Sequence, residues 1–279
     1  MEYRSQLMLH LLMNKFHPRG KEKLEAFLPE EERGLLAGTI THAVDISPLL
    51  HQEKDFLHKT HYSWLEPFVK KFPPSLQKTA QASFSSAAQQ KWSPVQSFFA
   101  HQFALFLETA QHLPADYLPS QELSPLLQWR KEQLVALIQG LGLYDLREEM
   151  REIVDKVLLQ KIQDALSLEQ RRYLRVCLPQ KERLHTPKLG IHWPDMTKEQ
   201  MQRALQKRGL ARLAAACCEL HPDFIWALAH RLDRGRGQIL LNFFSKPAMP
   251  KVVTLLRSQV VHLMDFLSRL PPTSNKRMK

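Results

Sequence analysis

Glycine is scarce in this sequence, with 9 residues among 279. Phosphate-binding loops and tight β-hairpins rely on glycine because their backbones need positive φ angles. The motifs of nucleotide-binding loops and of serine-hydrolase elbows are absent as well. The only closely spaced glycines beside positive charge, Gly235 and Gly237, follow a predicted helix rather than a strand. The sequence therefore argues against nucleotide-binding loops and against hairpin-rich β folds.

Cysteine is also rare, since only Cys177, Cys217 and Cys218 occur. An odd number of cysteines without framework spacing is typical of a reduced, cytosolic protein rather than a disulfide-bonded secreted one. Cys217 and Cys218 follow three alanines, which predicts a small-residue helix face. Buried packing is the expected role of these two thiols, and a redox pair is the alternative.

Long apolar runs are missing. No window approaches the roughly 18 apolar residues of a membrane span. The segment Met1–Met13 is mildly hydrophobic but carries Glu2 and Arg4 and lacks a cleavage site of small residues, so it predicts an amphipathic helix rather than a signal peptide. We expect a soluble, cytoplasmic protein.

Good helix formers dominate the composition, and no segment alternates with the period of two that strands show. The sequence predicts an all-α fold, an irregular multi-helix bundle. Its prolines favour a helix from Ser47 to about Phe72 and a polar helix or connection over 75–92. A core helix is predicted after Pro94, with its aromatics Phe99, Phe103 and Phe106 on one face. We expect an N-terminal helical region over 1–115, a linker near 114–125, a C-terminal helical domain over 120–272 and a basic tail over 273–279.

Capping residues divide the C-terminal domain further. Gly140 and Gly142 are expected to end a helix that begins at Ser124-Pro125. The next predicted helix starts at Asp145 with Glu148 and buries Leu146, Met150, Ile153, Val154, Val157 and Leu158. Further helices are predicted to begin at Ser167 with Gln170, at Thr197 with Gln200, at Pro222 and at Pro250.

Histidine is the residue type that invites a metal or catalytic hypothesis, with 13 in the chain. His42, His51, His58 and His61 form the densest group, and the last two are one helical turn apart. Zinc sites use such spacing, but they need a third ligand and a supporting carboxylate, and no known zinc motif is present. We expect packing or surface histidines, no catalytic residues, no metal and no cofactor. A metalloprotein or enzyme is the alternative.

Positive charge is concentrated at the C-terminal end. Residues 1–180 carry 21 basic and 21 acidic side chains, whereas residues 181–279 carry 18 basic and 7 acidic ones. Arg231, Arg234 and Arg236 are expected to cluster at the end of the helix from Pro222, where cations complement the helix dipole. We predict that they form a protein-binding face. Nucleic acid and an anionic membrane are the alternatives.

The second half resembles a known family. The resemblance covers roughly residues 130–235, and the Leu-Gly-x-x-Trp-Pro element at 189–194 is its most distinctive part. The other segments that carry it are Leu134–Leu143, Arg151–Val154, Leu166–Leu174 and Leu210–Leu220. Their order is similar to the SctK family (YscK, PscK, OrgA and MxiK types), a sorting-platform component of bacterial type III secretion. The segment 220–232 also resembles helices of the flagellar switch protein FliG.

The SctK resemblance implies an adaptor without catalysis, located in the cytoplasm at the bacterial inner membrane. Its implied partners are the SctQ-like pod protein and the cytoplasmic domain of an SctD-like inner-membrane ring protein. The pods in turn carry an SctL-like stator and the export ATPase. The resemblance implies no small-molecule substrate, and we expect nucleic acid not to be a partner. Residues before about 120 do not align with the family.

Overall fold

The computed structural model describes residues 29–30, 56–57, 59–85, 94–119, 121–178, 184, 189–244 and 249–269. Within these ranges the chain forms ten α-helices, four short 3-10 helices and no strand, so the predicted all-α class is confirmed. None of the described helices is long and apolar enough to cross a bilayer. The 3-10 helices are Tyr62–Trp64, Thr109–Gln111, Ala115–Tyr117 and Ser124–Gln128. The α-helices are α1 Glu66–Val69, α2 Pro74–Ser85, α3 Pro94–Phe106, α4 Lys131–Met150, α5 Lys156–Ala165, α6 Leu168–Cys177, α7 Lys198–Ala216, α8 Pro222–Arg231, α9 Arg234–Phe244 and α10 Pro250–Ser268.

Backbone contacts divide the chain into two compact units. The first comprises Met1–His58 with Lys78–Pro114, and the second comprises Lys59–Gln77 with Ala115–Lys279. The sequence places Lys59–Gln77 in the N-terminal region, whereas its contacts place it with the C-terminal helices. The reason is a long-range set of hydrogen bonds to α8 and α9, described below, which local sequence patterns do not encode.

Helix α3 of the first unit begins at Pro94, as predicted. Its aromatic residues were expected to share one buried face. Phe99 and Phe103 are buried and their rings stack with centroids 6.1 Å apart, but Phe106 is 38% exposed. Two of the three aromatic residues on the predicted face are therefore buried.

In the second unit, α4 and α7 cross at close range. The prediction that Gly140 and Gly142 end a helix was wrong, because α4 runs through both of them. A Cβ atom at Gly142 would overlap the Leu205 carbonyl oxygen of α7, and one at Gly209 would overlap the Ile138 carbonyl oxygen of α4. These two glycines let the backbones touch, and this close approach explains why α7 tolerates a glycine in its interior.

The predicted helix start at Asp145 was also wrong. Asp145 lies inside α4, 3% exposed, and pairs with the buried guanidinium of Arg212 on α7. Arg212 Nη1 donates to Gln259 Oε1 of α10 at 2.7 Å, and Arg208 Nε lies 4.0 Å from the Asp145 carboxylate. Because these side chains are removed from water, each depends on its partner for hydrogen bonds. The group links α4, α7 and α10.

A second buried polar contact joins α4 to α6. The Tyr144 and Tyr173 hydroxyls are hydrogen-bonded at 2.8 Å, and Arg147 Nη1 donates to the Cys177 carbonyl oxygen at 3.0 Å. Burial raises the pKa of the Cys177 thiol to about 11, so this thiol stays protonated at neutral pH. Cys217 is fully buried and burial raises its pKa to about 12, as a packing role requires.

The residues that cap or open helices predict where four of the helices begin. Ser167 with Gln170 and Thr197 with Gln200 form capping boxes at the starts of α6 and α7. Helices α8 and α10 begin at Pro222 and Pro250.

The predicted burial of a helix through Val154 and Val157 was wrong. These side chains are 92% and 78% exposed. The cause is that the helix is interrupted, which the sequence does not predict. Helix α4 ends at Met150, and α5 begins after its N-cap residue Asp155. Of the other residues expected on that face, Leu146 is fully buried and Met150, Ile153 and Leu158 are half-buried.

The α4–α7 crossing generates a prediction about glycine. Gly209→Ala should lower the free energy of unfolding by roughly 2–3 kcal/mol, because the new methyl group forces two backbones apart. Gly235 is the matched control, since it is an exposed helical glycine whose Cβ would come no closer than 3.5 Å to Asp233 Oδ1.

Gly235→Ala should raise the free energy of unfolding by about 0.5 kcal/mol through its effect on the unfolded chain. Urea unfolding followed by far-UV circular dichroism measures the free energy of unfolding of both variants. Equal stability of the two variants would refute the close crossing.

Candidate protein-binding site

The three arginines predicted to bind a partner lie at a corner between two helices. We call Arg231, Arg234 and Arg236 the arginine corner. Arg231 is the last residue of α8, whereas Arg234 begins a separate helix, α9, that the sequence reading missed. Only Arg231 therefore lies at a helix C-terminus. The other two lie in the first turn of α9, where the dipole disfavours cations.

Arg231 acts inside the fold. Its Nη1 donates to the Trp129 carbonyl oxygen at 2.8 Å, and this bond connects the end of α8 to the segment before α4. The side chain is half-buried, and burial lowers the pKa of its guanidinium to about 10. The guanidinium remains charged at neutral pH.

Arg236 pairs with Asp233, the residue that caps α9. The Arg236 backbone N–H donates to Asp233 Oδ1 at 3.2 Å, and its guanidinium pairs with the same carboxylate. Burial acts to raise the pKa of Asp233, but the hydrogen bonds and the charge of Arg236 lower it overall. Much of the charge of Arg236 is thus compensated within the chain.

Arg234 differs from both neighbours. Its backbone N–H donates to Ser63 Oγ at 2.8 Å, while its side chain is exposed. Of the three predicted site residues, Arg234 is the one whose guanidinium is presented to solvent. The structure brings the three residues into one corner but assigns only one of them to the surface.

A segment far away in sequence builds the other side of this corner. Trp64 Nε1 donates to the Leu232 carbonyl oxygen at 2.9 Å, and the His61 backbone N–H donates to the His230 carbonyl oxygen at 2.8 Å. The buried His230 ring lies 4.2 Å from the Trp64 ring and 4.4 Å from the Trp226 ring, measured between centroids. A Cβ at Gly237 would collide with Trp64.

The sequence reading missed this packing because its partners are more than 160 residues apart. The sequence predicts a continuous helix from Ser47 to about Phe72, whereas the structure has the 3-10 helix Tyr62–Trp64 followed by α1. Gly237 was the available signal. A glycine within a helix indicates close packing, and here the close neighbour is Trp64.

His61 belongs to this corner. Lys131 Nζ lies 2.6 Å from His61 Nε2, and His61 Nδ1 lies 2.8 Å from Ser63 Oγ and accepts from the Ser63 backbone N–H at 3.2 Å. The pKa of His61 is lowered by burial and by the charge of Lys131. No group of three potential metal ligands occurs among the described residues, and His42, His51 and His58 lie outside them.

The second unit also has an open groove of about 730 Å³ between α10, the turn after α7 and residues 121–123. Its charges are mixed: Arg257 pairs with Glu219 at 3.1 Å. The groove is lined by Gln121, Glu122, Leu123, Glu219, Leu220, Thr254, Arg257, Ser258, Val261 and His262. Ser258 and His262 lie one helical turn apart on α10, and no hydrogen bond joins this imidazole to the Ser258 or Thr254 hydroxyl.

The Leu-Gly-x-x-Trp-Pro element forms a turn fixed at both ends. Gly190 has φ of 71°, a conformation that suits glycine. The Leu189 backbone N–H donates to the Glu149 carboxylate of α4, and Lys161 Nζ of α5 donates to the Pro194 carbonyl oxygen at 2.6 Å. The element therefore connects the end of α4 with α5 just before α7 begins.

Comparisons with family models, with curated proteins and with solved structures found no match to this chain. The resemblance to the SctK family therefore stays a prediction from the residues quoted for it. In the structure, residues 130–235 include all of α4 to α8.

The His61 contacts predict a pH effect. Above pH 6.5 the imidazole is neutral in both the folded and unfolded chain. As the pH falls below that value, the unfolded chain binds the proton first, because the pKa of His61 in the folded state is lower. Stability should therefore decline on acidification, as protonated His61 loses the Lys131 hydrogen bond and is repelled by that ammonium.

His61→Gln, a neutral amide that does not titrate, is the reference for this effect. The melting temperature of the wild type minus that of the variant should fall between about pH 7.5 and about pH 5. A difference that stays constant, or grows, over this range would show that His61 is not held neutral.

Proposed function

We propose that this protein is a non-catalytic adaptor of a bacterial type III secretion sorting platform. It binds an SctQ-like pod protein and the cytoplasmic domain of an SctD-like inner-membrane ring protein. Through the pod it connects to an SctL-like stator and the export ATPase. It works in the cytoplasm, against the inner membrane.

The observation that carries this proposal is the SctK-like segment over residues 130–235. Its helices pack into one unit through the Asp145–Arg212 pair and the glycine contacts between α4 and α7. The Trp-Pro element, its most distinctive part, has a defined fold anchored on Glu149 and Lys161. A unit of this kind presents helix faces to partners while its polar interior serves stability.

The chemistry of the described residues supports surface contact as the mode of action. Asp145, Arg147 and Arg212 are buried and engaged with other groups of the fold. The thiols of Cys177 and Cys217 are buried with raised pKa values, which makes them poor nucleophiles. Exposed charge at the arginine corner then suits an acidic protein surface.

Co-purification tests the proposal. The full chain, co-expressed with a pod protein and with the ring cytoplasmic domain from the same secretion system, should retain at least one of them through affinity and size-exclusion steps. Arg234→Glu should weaken this retention about tenfold, since it places a carboxylate opposite an acidic partner.

Arg231→Met is the control for a merely structural effect. It removes the bond to the Trp129 carbonyl oxygen and should lower the melting temperature, with a smaller loss of retention once folded protein is compared. Failure of the wild type to retain either partner would contradict the proposed function. Retention of duplex DNA instead, with a steep salt dependence, would favour the nucleic-acid alternative.

A further inference from the structure

Helix α6 carries an exposed face that the arginine corner does not include. Its inner residues are Gln170, Tyr173, Leu174 and Cys177, all buried. Residues three, four and eight positions apart share a face of a helix, so the opposite side is formed by a different set. We call this set the α6 outer face, and it consists of Leu168, Arg172, Arg175 and Val176.

The α6 outer face combines apolar and cationic side chains. Leu168 is 61% exposed and Val176 is 47% exposed. Arg172 and Arg175 are exposed, and neither guanidinium makes a hydrogen bond or ion pair with any other residue that the structure describes. The guanidinium groups of Arg147 and Arg212 differ from these two, because they bind other groups inside the fold. Two free guanidinium groups therefore lie between two exposed apolar side chains.

We propose that the α6 outer face binds an acidic amphipathic helix of a partner protein. The distance along α6 from Leu168 to Val176 is about 12 Å, roughly two turns, at about 1.5 Å per residue. A partner helix can place apolar side chains against both ends and carboxylates between them. A guanidinium group can donate two parallel hydrogen bonds to one carboxylate. This inference rests on the proposed function, because it names the chemistry that one platform partner must present.

Two other occupants fit the face less well. Stable attachment to a membrane needs more buried apolar surface than one leucine and one valine provide. Nucleic acid would use the two arginines for phosphates, but a pair of phosphate contacts is weak and the apolar side chains would gain nothing. The partner helix alone uses both kinds of side chain. Its contact area is small, so the isolated interaction should be of micromolar affinity.

A synthetic peptide provides the direct test. The probe is a fluorescein-labelled helical peptide with leucine along one side and glutamate beside it, and a second peptide has lysine in place of every glutamate. Fluorescence anisotropy with the full-length protein should show binding of the glutamate peptide at least about tenfold tighter than of the lysine peptide.

Paired substitutions localise the binding. Arg172→Glu with Arg175→Glu should weaken the glutamate peptide about tenfold or more and should improve binding of the lysine peptide, a reversal that a folding defect cannot produce. Leu168→Ser with Val176→Ser should weaken both peptides. The matched control is Arg203→Glu with Lys207→Glu, which makes the same charge change on exposed residues of α7 and should alter affinity less than about twofold.

The proposal is overturned if the α6 and α7 charge variants weaken the glutamate peptide equally, or if the wild type binds both peptides alike. It is also overturned if phosphatidylglycerol vesicles or duplex DNA bind the wild type through Arg172 and Arg175 while the glutamate peptide does not bind. The peptide measurement needs no platform protein. Failure of peptide binding can therefore be told apart from failure of co-purification, which would contradict the proposed function instead.

Discussion

The buried ion pair between Asp145 and Arg212 is the contact on which the second unit depends. It joins α4 to α7, and the hydrogen bond from Arg212 to Gln259 extends the link to α10. Removing Asp145 would leave the buried Arg212 guanidinium without a counter-ion, which typically costs about 3–5 kcal/mol. The ion pair also fixes the register of α4 against α7. It can form because the crossing at Gly142 and Gly209 brings these two helices close together.

The surfaces considered for binding follow from this arrangement. Helix α6 is held on α4 by the tyrosine pair and by Arg147, which leaves the other side of α6 exposed. The arginine corner is fixed by a different set of contacts, since Arg231 and Trp64 connect it to segments distant in sequence. Charged side chains thus divide into two groups, those that hold the helices together and those that remain available to a partner. A net charge of +11 says nothing about this division.

What the sequence could predict was local. The all-α class and the capping boxes at Ser167 and Thr197 depend on residues within one turn of each other, and these predictions were confirmed. Gly142 and Asp145 were misread because each was given its commonest local role, a helix stop and a helix cap. Their actual roles depend on α7, some 60 residues away in the sequence. The same limit applies to Arg231, whose partner Trp129 lies 102 residues away in the sequence.

A double-mutant cycle on Asp145 and Arg212 tests the central claim most directly. Asp145→Leu should lower the free energy of unfolding by about 3–5 kcal/mol, because Arg212 stays buried without a counter-ion. Arg212→Leu should also lower it, because only the half-buried Arg208, 4.0 Å away, then remains near the Asp145 carboxylate. The double variant should lose at least about 2 kcal/mol less than the two single losses added together, since no orphaned charge remains. Additive losses would contradict the account and would mean that the two helices are held together by other contacts.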